Sequence, residues 1–173
     1  MDLEEPYVRQ TFRNHCEILT SQGVKKLSVP IEKKSCFDTL NHRPEMIKNV
    51  KIDYSENWQR QHWRSLQTSY NNSPYFLYYE NDLKNFYEKR WEFLVDFNTE
   101  LLQWLLGKLR ITNYELRMGS VDNHNSHDSR FTIHYSLFPP YQQVFGEKFV
   151  PNLSSFDLLF NCGPESKIYL CKA

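Results

Sequence analysis

Trp58, His62, Leu66 and Tyr70 recur every four positions, and no other pattern in the chain restricts the fold as tightly. A four-residue step keeps side chains on one face of an α-helix, one turn above another. That face is apolar apart from a single imidazole, so the helix must lie against a core and carry His62 toward it. The spacing predicts a helix from about Ser55 to Tyr70. Asp53 followed by Glu56 has the interval of a capping box, and Asn71-Asn72-Ser73-Pro74 supplies the stop, since proline cannot continue the ladder.

Two more helices are expected. One runs from about Pro74 to Tyr87. The other is the most apolar, with Phe97, Leu101, Leu102, Leu105, Leu106 and Leu109 facing a core and Asp96 or Asn98 available to cap its amino end. A short helix should begin at Ser154, with Asp157 at the cap interval and Gly163-Pro164 as the stop.

Strand signals surround these helices. Cys16-Glu17-Ile18-Leu19 and Lys26-Leu27-Ser28-Val29-Pro30-Ile31 flank Ser21-Gln22-Gly23, a turn suited to an antiparallel hairpin. Ile47 to Ile52 reads as a third strand after a polar loop from Glu32 to Pro44. Phe131-Thr132-Ile133-His134-Tyr135 alternates as a strand does, and Lys167-Ile168-Tyr169-Leu170 closes the chain with strand-type residues. Together these elements give an α+β fold, a mixed sheet with three main helices in a single domain.

The chain has 173 residues, a size suited to one compact domain, and 21 basic against 21 acidic residues leave no net charge. No global field therefore draws it to nucleic acid or to an anionic membrane surface. No apolar run approaches the roughly 18 residues of a membrane span, and the acidic opening is unlike a signal peptide, so a cytoplasmic location is expected. Aromatic residues make up 16% of the chain, enough to furnish both a core and the walls of a polar-ligand pocket. Cys16, Cys36, Cys162 and Cys171 form no CxxC pair and are read as reduced structural thiols. The absence of a Gly-rich phosphate loop, of H-E-x-x-H and of G-x-S-x-G argues against several common enzyme classes. No cofactor is called for.

Three segments are informative when taken together. The first is Gln10-Thr11-Phe12-Arg13-Asn14-His15-Cys16-Glu17-Ile18 followed by Leu27 to Ile31. The second is Val50-Lys51-Ile52 and then Trp58, His62-Trp63, Tyr70 and Ser73-Pro74-Tyr75-Phe76. The third is Tyr141-Gln142-Gln143-Val144-Phe145, Phe149 to Ser154 and Asp157 to Ser166. In this order and spacing the chain resembles the bacterial WbqC-like protein family over about Tyr7 to Leu170, most closely the shorter form found in Bacteroidetes. Two departures stand out. Relatives carry a further strand and a Pro-rich, Tyr-Phe turn ahead of Glu4-Glu5-Pro6-Tyr7. Its absence implies either a natural start upstream or a sheet that has lost a strand, whose open edge a homodimer can cover. His15 stands where many relatives have Arg, which removes a permanent bidentate cation.

The resemblance implies a place in surface-polysaccharide biosynthesis, for O-antigen or capsule, with acyl or aminoacyl transfer to a nucleotide-linked amino sugar as the reaction and a nucleotide sugar as the small-molecule substrate. A noncatalytic binding or scaffold role in the same pathway is the rival reading. On the residues themselves, His62 is the candidate general base, because burial lowers an imidazole pKa and keeps it neutral near pH 7. The alternative is a hydrogen-bonded core histidine. Arg13 and Asn14 offer a guanidinium fork and an amide to a substrate phosphate or carboxylate, or else a structural ion pair. Tyr141 and Gln142, held by Pro139-Pro140, and Asp157 and Asn161 on the short helix complete the candidate substrate-binding set, although each also has an ordinary structural use. Asp122, His124, His127 and Asp128 have metal-ligand chemistry but lie in a polar stretch with no rigid element to hold them, so they are read as a solvated loop and no metal is expected.

Overall fold

The computed structural model describes residues 6–8, 11–38, 43–111 and 139–170. The expected strand Phe131–Tyr135, the Asp122 to Asp128 cluster and Cys171 lie outside the described residues.

The fold is α+β. The amino-terminal hairpin pairs β1 (His15–Thr20) with β2 (Gly23–Ser28), antiparallel, with His15 opposite Ser28 and Thr20 opposite Gly23. Gly23 adopts φ 107°, a region closed to most side chains, which lets the chain reverse over Ser21-Gln22. Thr20 Oγ1 locks the turn by donating to the Gly23 carbonyl at 2.7 Å. The second pair, β3 (Phe37–Asp38) and β4 (Arg43–Pro44), is short and also antiparallel.

The region expected as a third strand divides in two. Ile47–Asn49 winds into a 3-10 turn, whereas Lys51 and Ile52 are extended and make isolated antiparallel bridges to Phe93 and Ile31. The Ile52 N–H donates to the Glu92 carbonyl and the Asp53 N–H to that of Pro30. Residues 50–53 thus tie the hairpin's exit to the start of the third helix, which is why the apolar residues at both ends of that run are buried.

Helix α1 spans Trp58–Tyr70 and buries Trp58, His62, Leu66, Ser69 and Tyr70, the face marked by the four-residue spacing. It starts three residues later than expected. Asp53 Oδ1 accepts from the Ser55 N–H at 2.8 Å, forming a turn ahead of the helix rather than a capping box. Helix α2 (Phe76–Glu88) follows Pro74, and α3 spans Leu94–Lys108. Asp96 and Asn98 lie inside α3 and cap nothing; Asn98 Nδ2 instead donates to the Arg13 carbonyl at 2.7 Å, fastening the segment before β1 to the helix.

Helix α4 (Ser155–Cys162) begins as expected at Ser154, whose hydroxyl accepts from the Phe156 N–H, and ends at Gly163 with φ 53°. The chain then turns through a 3-10 segment, Gly163–Glu165, into a short helix α5, Ser166–Leu170. This corrects the expected closing strand. Pro164 sets the first turn of a new helix, and Ile168, half exposed, is given no core to face.

Aromatic rings build the centre. Phe76, Tyr70 and Phe156 surround Phe160, with centroid distances of 5.2, 5.0 and 5.6 Å, and Trp58 meets Phe97 edge-on at 5.5 Å. Such pairs contribute about 0.5–1.5 kcal/mol each beyond the area they bury. Among the described residues no helix is long and apolar enough to cross a membrane.

Candidate functional site

His62 is carried by the buried face of α1 to the wall of β2, and is 7% exposed. Its Nε2 lies 3.1 Å from the Ser28 carbonyl oxygen. A carbonyl can only accept, so Nε2 carries the hydrogen and Nδ1 keeps its lone pair. The ring packs edge-on against Trp58 at 5.1 Å and Tyr87 at 6.1 Å. Burial among these rings lowers the imidazole pKa to about 4, with Lys25 pressing the same way and the Ser28 carbonyl opposing both. At neutral pH the ring is uncharged.

Two hollows meet at this ring. A polar cleft of about 510 Å³ runs along β2 and α1, lined by Asn14, His15, Lys25, Ser28, Trp58 and His62 among others. An apolar pocket of about 180 Å³ lies toward α3. Asn14, His15 and His62 belong to both, and Arg13 to the apolar one. Three buried polar atoms here lack a hydrogen-bond partner among the described residues: Asn14 Oδ1, His15 Nδ1 and Trp58 Nε1. Buried polar atoms are nearly always paired, by protein, water or ligand, so three orphans on residues that line one cleft single it out as the candidate site for a polar molecule. The Asn14 orientation is set by its Nδ2, which donates to the Val29 carbonyl at 3.3 Å.

A further groove of about 400 Å³ adjoins the polar cleft, sharing Glu56 and Trp58 and adding Tyr54, Trp63, Arg60 and Arg90. The Arg90 guanidinium sits 4.6 Å from the Tyr54 ring centre. Aromatic faces beside cations suit a planar, anionic group.

The structure brings Arg13, Asn14 and His62 together and sets Tyr141, Gln142, Asp157 and Asn161 apart. Asp157 is fully buried. Its Oδ1 accepts from the Tyr70 hydroxyl at 2.8 Å, and its Oδ2 accepts from the Tyr141 hydroxyl at 2.8 Å and from Gln143 Nε2 at 2.9 Å. The Tyr70 hydroxyl in turn accepts from the Leu19 N–H at 3.3 Å, and Gln143 Oε1 from the Val150 N–H at 2.8 Å. Burial first, and then the Asp157 charge, push both phenols above their ordinary acidity range, so both remain donors. Asn161 Nδ2 donates to the Asp157 carbonyl at 2.7 Å, and Gln142 Nε2 to that of Gln143 at 3.2 Å. The network clamps the segment 141–150 to α4, α1 and β1. Tyr141 also borders a small hollow of about 100 Å³ with Ser154 and Tyr169.

Sequence reasoning passed over Gln143, Tyr70 and Ser28. Gln143 adjoins the chosen Gln142, and only the fold reveals which amide turns inward. Ser28 acts through a carbonyl, which every residue has. Tyr70 was legible as a core position, but the partner waiting for its hydroxyl lies 87 residues away. Among the described residues the thiols are free: burial pushes Cys16 up to about 11 and Cys162 up to about 11, and Cys36 Sγ lies 3.3 Å from the Glu32 carbonyl. Among the described residues no group of three His, Cys, Asp or Glu side chains is placed to hold a metal ion.

No solved structure matches this chain. The Mycobacterium tuberculosis protein Rv1507c, itself named as uncharacterised, is 26% identical to it, over 95% of this chain and 83% of that protein. A profile of the WbqC-like protein family matches residues 4–135 and 121–169. The three segments that frame the His62 cleft and the Asp157 clamp fall within those matches, and the chain belongs to the WbqC-like protein family.

Proposed function

We propose that this chain is a transferase of surface-polysaccharide biosynthesis, which passes an acyl or aminoacyl group to the amine of a nucleotide-linked amino sugar in the His62 cleft. The observation that carries the reading is that Asn14, His15 and Trp58, each with a buried and unpaired polar atom, line one cleft together with a neutral imidazole. The family membership supports the choice of pathway, since the resemblance implies a role in glycan assembly.

In this reading the sugar amine lies in the cleft beside Asn14 and His62, and its nitrogen attacks the acyl carbon. The new C–N bond forms, His62 Nδ1 takes the proton lost by the nitrogen, and the bond from the acyl carbon to its carrier breaks. The same proton then passes from Nδ1 to the departing group, so the imidazole ends neutral. A pKa near 4 makes His62 a weak base at rest. Its advantage is that the lone pair is fully available at pH 7, and the Nε2–H bond to Ser28 steadies the imidazolium while it lasts. Arg13 holds the polar part of the acyl donor, and the aromatic groove beyond Trp58 takes the nucleotide.

A second reading has an observation of its own. His62 is almost sealed and already hydrogen-bonded, as a purely structural histidine would be; on that footing the cleft binds a glycan precursor without transforming it. A thermal-shift screen of nucleotide amino sugars with acyl and aminoacyl donors, followed by mass spectrometry of the mixtures, separates the two. Stabilisation plus an acylated sugar, lost in His62→Ala, supports the transferase. Stabilisation with no product from any donor supports the binding protein, and turnover unchanged in His62→Ala removes the proposed base.

A further inference from the structure

We infer that the apolar pocket behind His62 is a binding site for a short aliphatic acyl group, of about six carbons at most. The inference deepens the transferase reading, and rests on it only for the use to which the acyl group is put.

The apolar walls of this pocket include Leu27 of β2, Phe97, Leu101 and Leu105 of α3, and Phe156 of α4. None of these side chains offers a hydrogen bond, so water entering the hollow finds few partners and an apolar occupant is favoured. Polar groups enter the lining through Arg13, Asn14, His15, His62, Asn98 and Ser154, with the Tyr87 phenol and the Cys16 thiol beside them. Of these, Asn14 and His15 bring the orphaned Oδ1 and Nδ1, and Asn14, His15 and His62 are the residues shared with the polar cleft. The lining therefore joins apolar side chains to polar ones and to a cation, Arg13, which is the polarity of a fatty acyl chain with its carbonyl or carboxylate head.

Size fixes the class. The hollow measures about 180 Å³, and an apolar cavity of about 150 Å³ accommodates a benzene molecule, so roughly six carbon atoms fill it. Long chains have no room. Phe12 stands at the rim 81% exposed, with the Arg13 guanidinium 5.0 Å from its ring centre. An aromatic ring left in solvent at the edge of an apolar hollow gains by covering whatever enters it. An acyl group seated here would place its carbonyl beside Asn14 and His62, at the border with the cleft.

The test uses the full chain and sodium salts of straight-chain carboxylates from two to ten carbons, with affinity measured by isothermal titration calorimetry. Each added methylene should tighten binding by about fourfold up to roughly six carbons, and longer chains should gain nothing or bind more weakly. Leu101→Trp, which fills the pocket, should abolish binding; Leu105→Phe is the milder variant, and circular dichroism melts establish which of them fold. No binding at any length, affinity that keeps rising through ten carbons, or a folded filling variant that binds like the parent overturns the assignment. If neither variant folds, the chain-length profile decides alone. The outcomes are separable from those of the transferase reading: turnover that survives His62→Ala removes the base and leaves the pocket standing, while an absence of carboxylate binding removes the pocket and leaves any nucleotide-sugar stabilisation intact.

Discussion

Replacing Tyr70 by Phe removes one oxygen from the centre of the molecule, and the structure says what that oxygen does. It donates to Asp157 Oδ1 at 2.8 Å and accepts from the Leu19 N–H at 3.3 Å, and Tyr70 and Asp157 are both 0% exposed. The ring keeps its place against Phe160, 5.0 Å away, so no large cavity opens. What remains is a buried N–H without an acceptor and a carboxylate oxygen without its donor. Each such orphan costs about 1–3 kcal/mol, and because Tyr141 and Gln143 still serve the other oxygen the combined loss should be about 2–4 kcal/mol. With a urea m value of about 2 kcal/mol/M for a chain of this size, the midpoint of unfolding falls by about 1–2 M while m is unchanged. Tryptophan fluorescence and circular dichroism across the same titration read it. Asp157→Asn keeps the shape and removes the charge, so in the double variant the two losses should fall short of additivity by about 1 kcal/mol. A Tyr70→Phe loss below about 0.5 kcal/mol, the range of an ordinary surface change, refutes the reasoning.

Other consequences follow from particular groups. Burial lowers the His62 pKa from 6.5 to about 4, so between those values the unfolded chain binds a proton that the folded chain excludes. Its contribution is present above pH 6.5 and is lost toward pH 4. The full depression corresponds to about 3 kcal/mol, and His62→Gln should flatten the fall in stability over that window by up to this amount in urea titrations; parallel curves for the two proteins contradict it. At Gly163, φ is 53° and an added Cβ would sit 2.5 Å from the Tyr75 ring, so Gly163→Ala should cost about 1–3 kcal/mol and lower the Tm, and an unchanged melt refutes the packing described there. The Cys16 and Cys162 thiols, pushed up to about 11, should alkylate with iodoacetamide at neutral pH roughly a hundredfold more slowly than a free cysteine. Peptide mass mapping reads each site separately, and rapid labelling of either thiol contradicts its environment.

How far the molecule could be read before its structure depended on the range of the forces involved. Helix α1 and the β1–β2 hairpin were legible because their causes are local: a four-residue apolar step in one, and a glycine at a left-handed turn in the other. Ile47–Ile52 misled because apolar residues at both ends of a short run suit a strand, a bridge or a turn equally, and the choice was made by Glu92 and Pro30 supplying carbonyls from elsewhere in the chain. Lys167 to Leu170 misled in another way: strand propensity without a partner edge yields to the helical turn that Pro164 starts. In the site, the sequence pointed to His62, Arg13 and Asn14, and the fold gathers them around one pocket. Tyr141, Asp157 and Asn161 were singled out for polar side chains that the structure uses to clamp α4 to its surroundings, and nothing local distinguishes a clamping carboxylate from a binding one. The orphaned Trp58 Nε1 and His15 Nδ1 were invisible, because an unpaired atom is defined only by everything around it.

Nitrogen-15 NMR of the histidine-labelled protein tests the central claim at the atom concerned. His62 should show a neutral ring protonated at Nε2 from about pH 8 down to about pH 5, and saturation with a nucleotide amino sugar that stabilises the protein should shift its Nδ1 resonance. A stabilising ligand that leaves both His62 nitrogens unmoved would mean that the cleft beside this imidazole is not where the substrate binds.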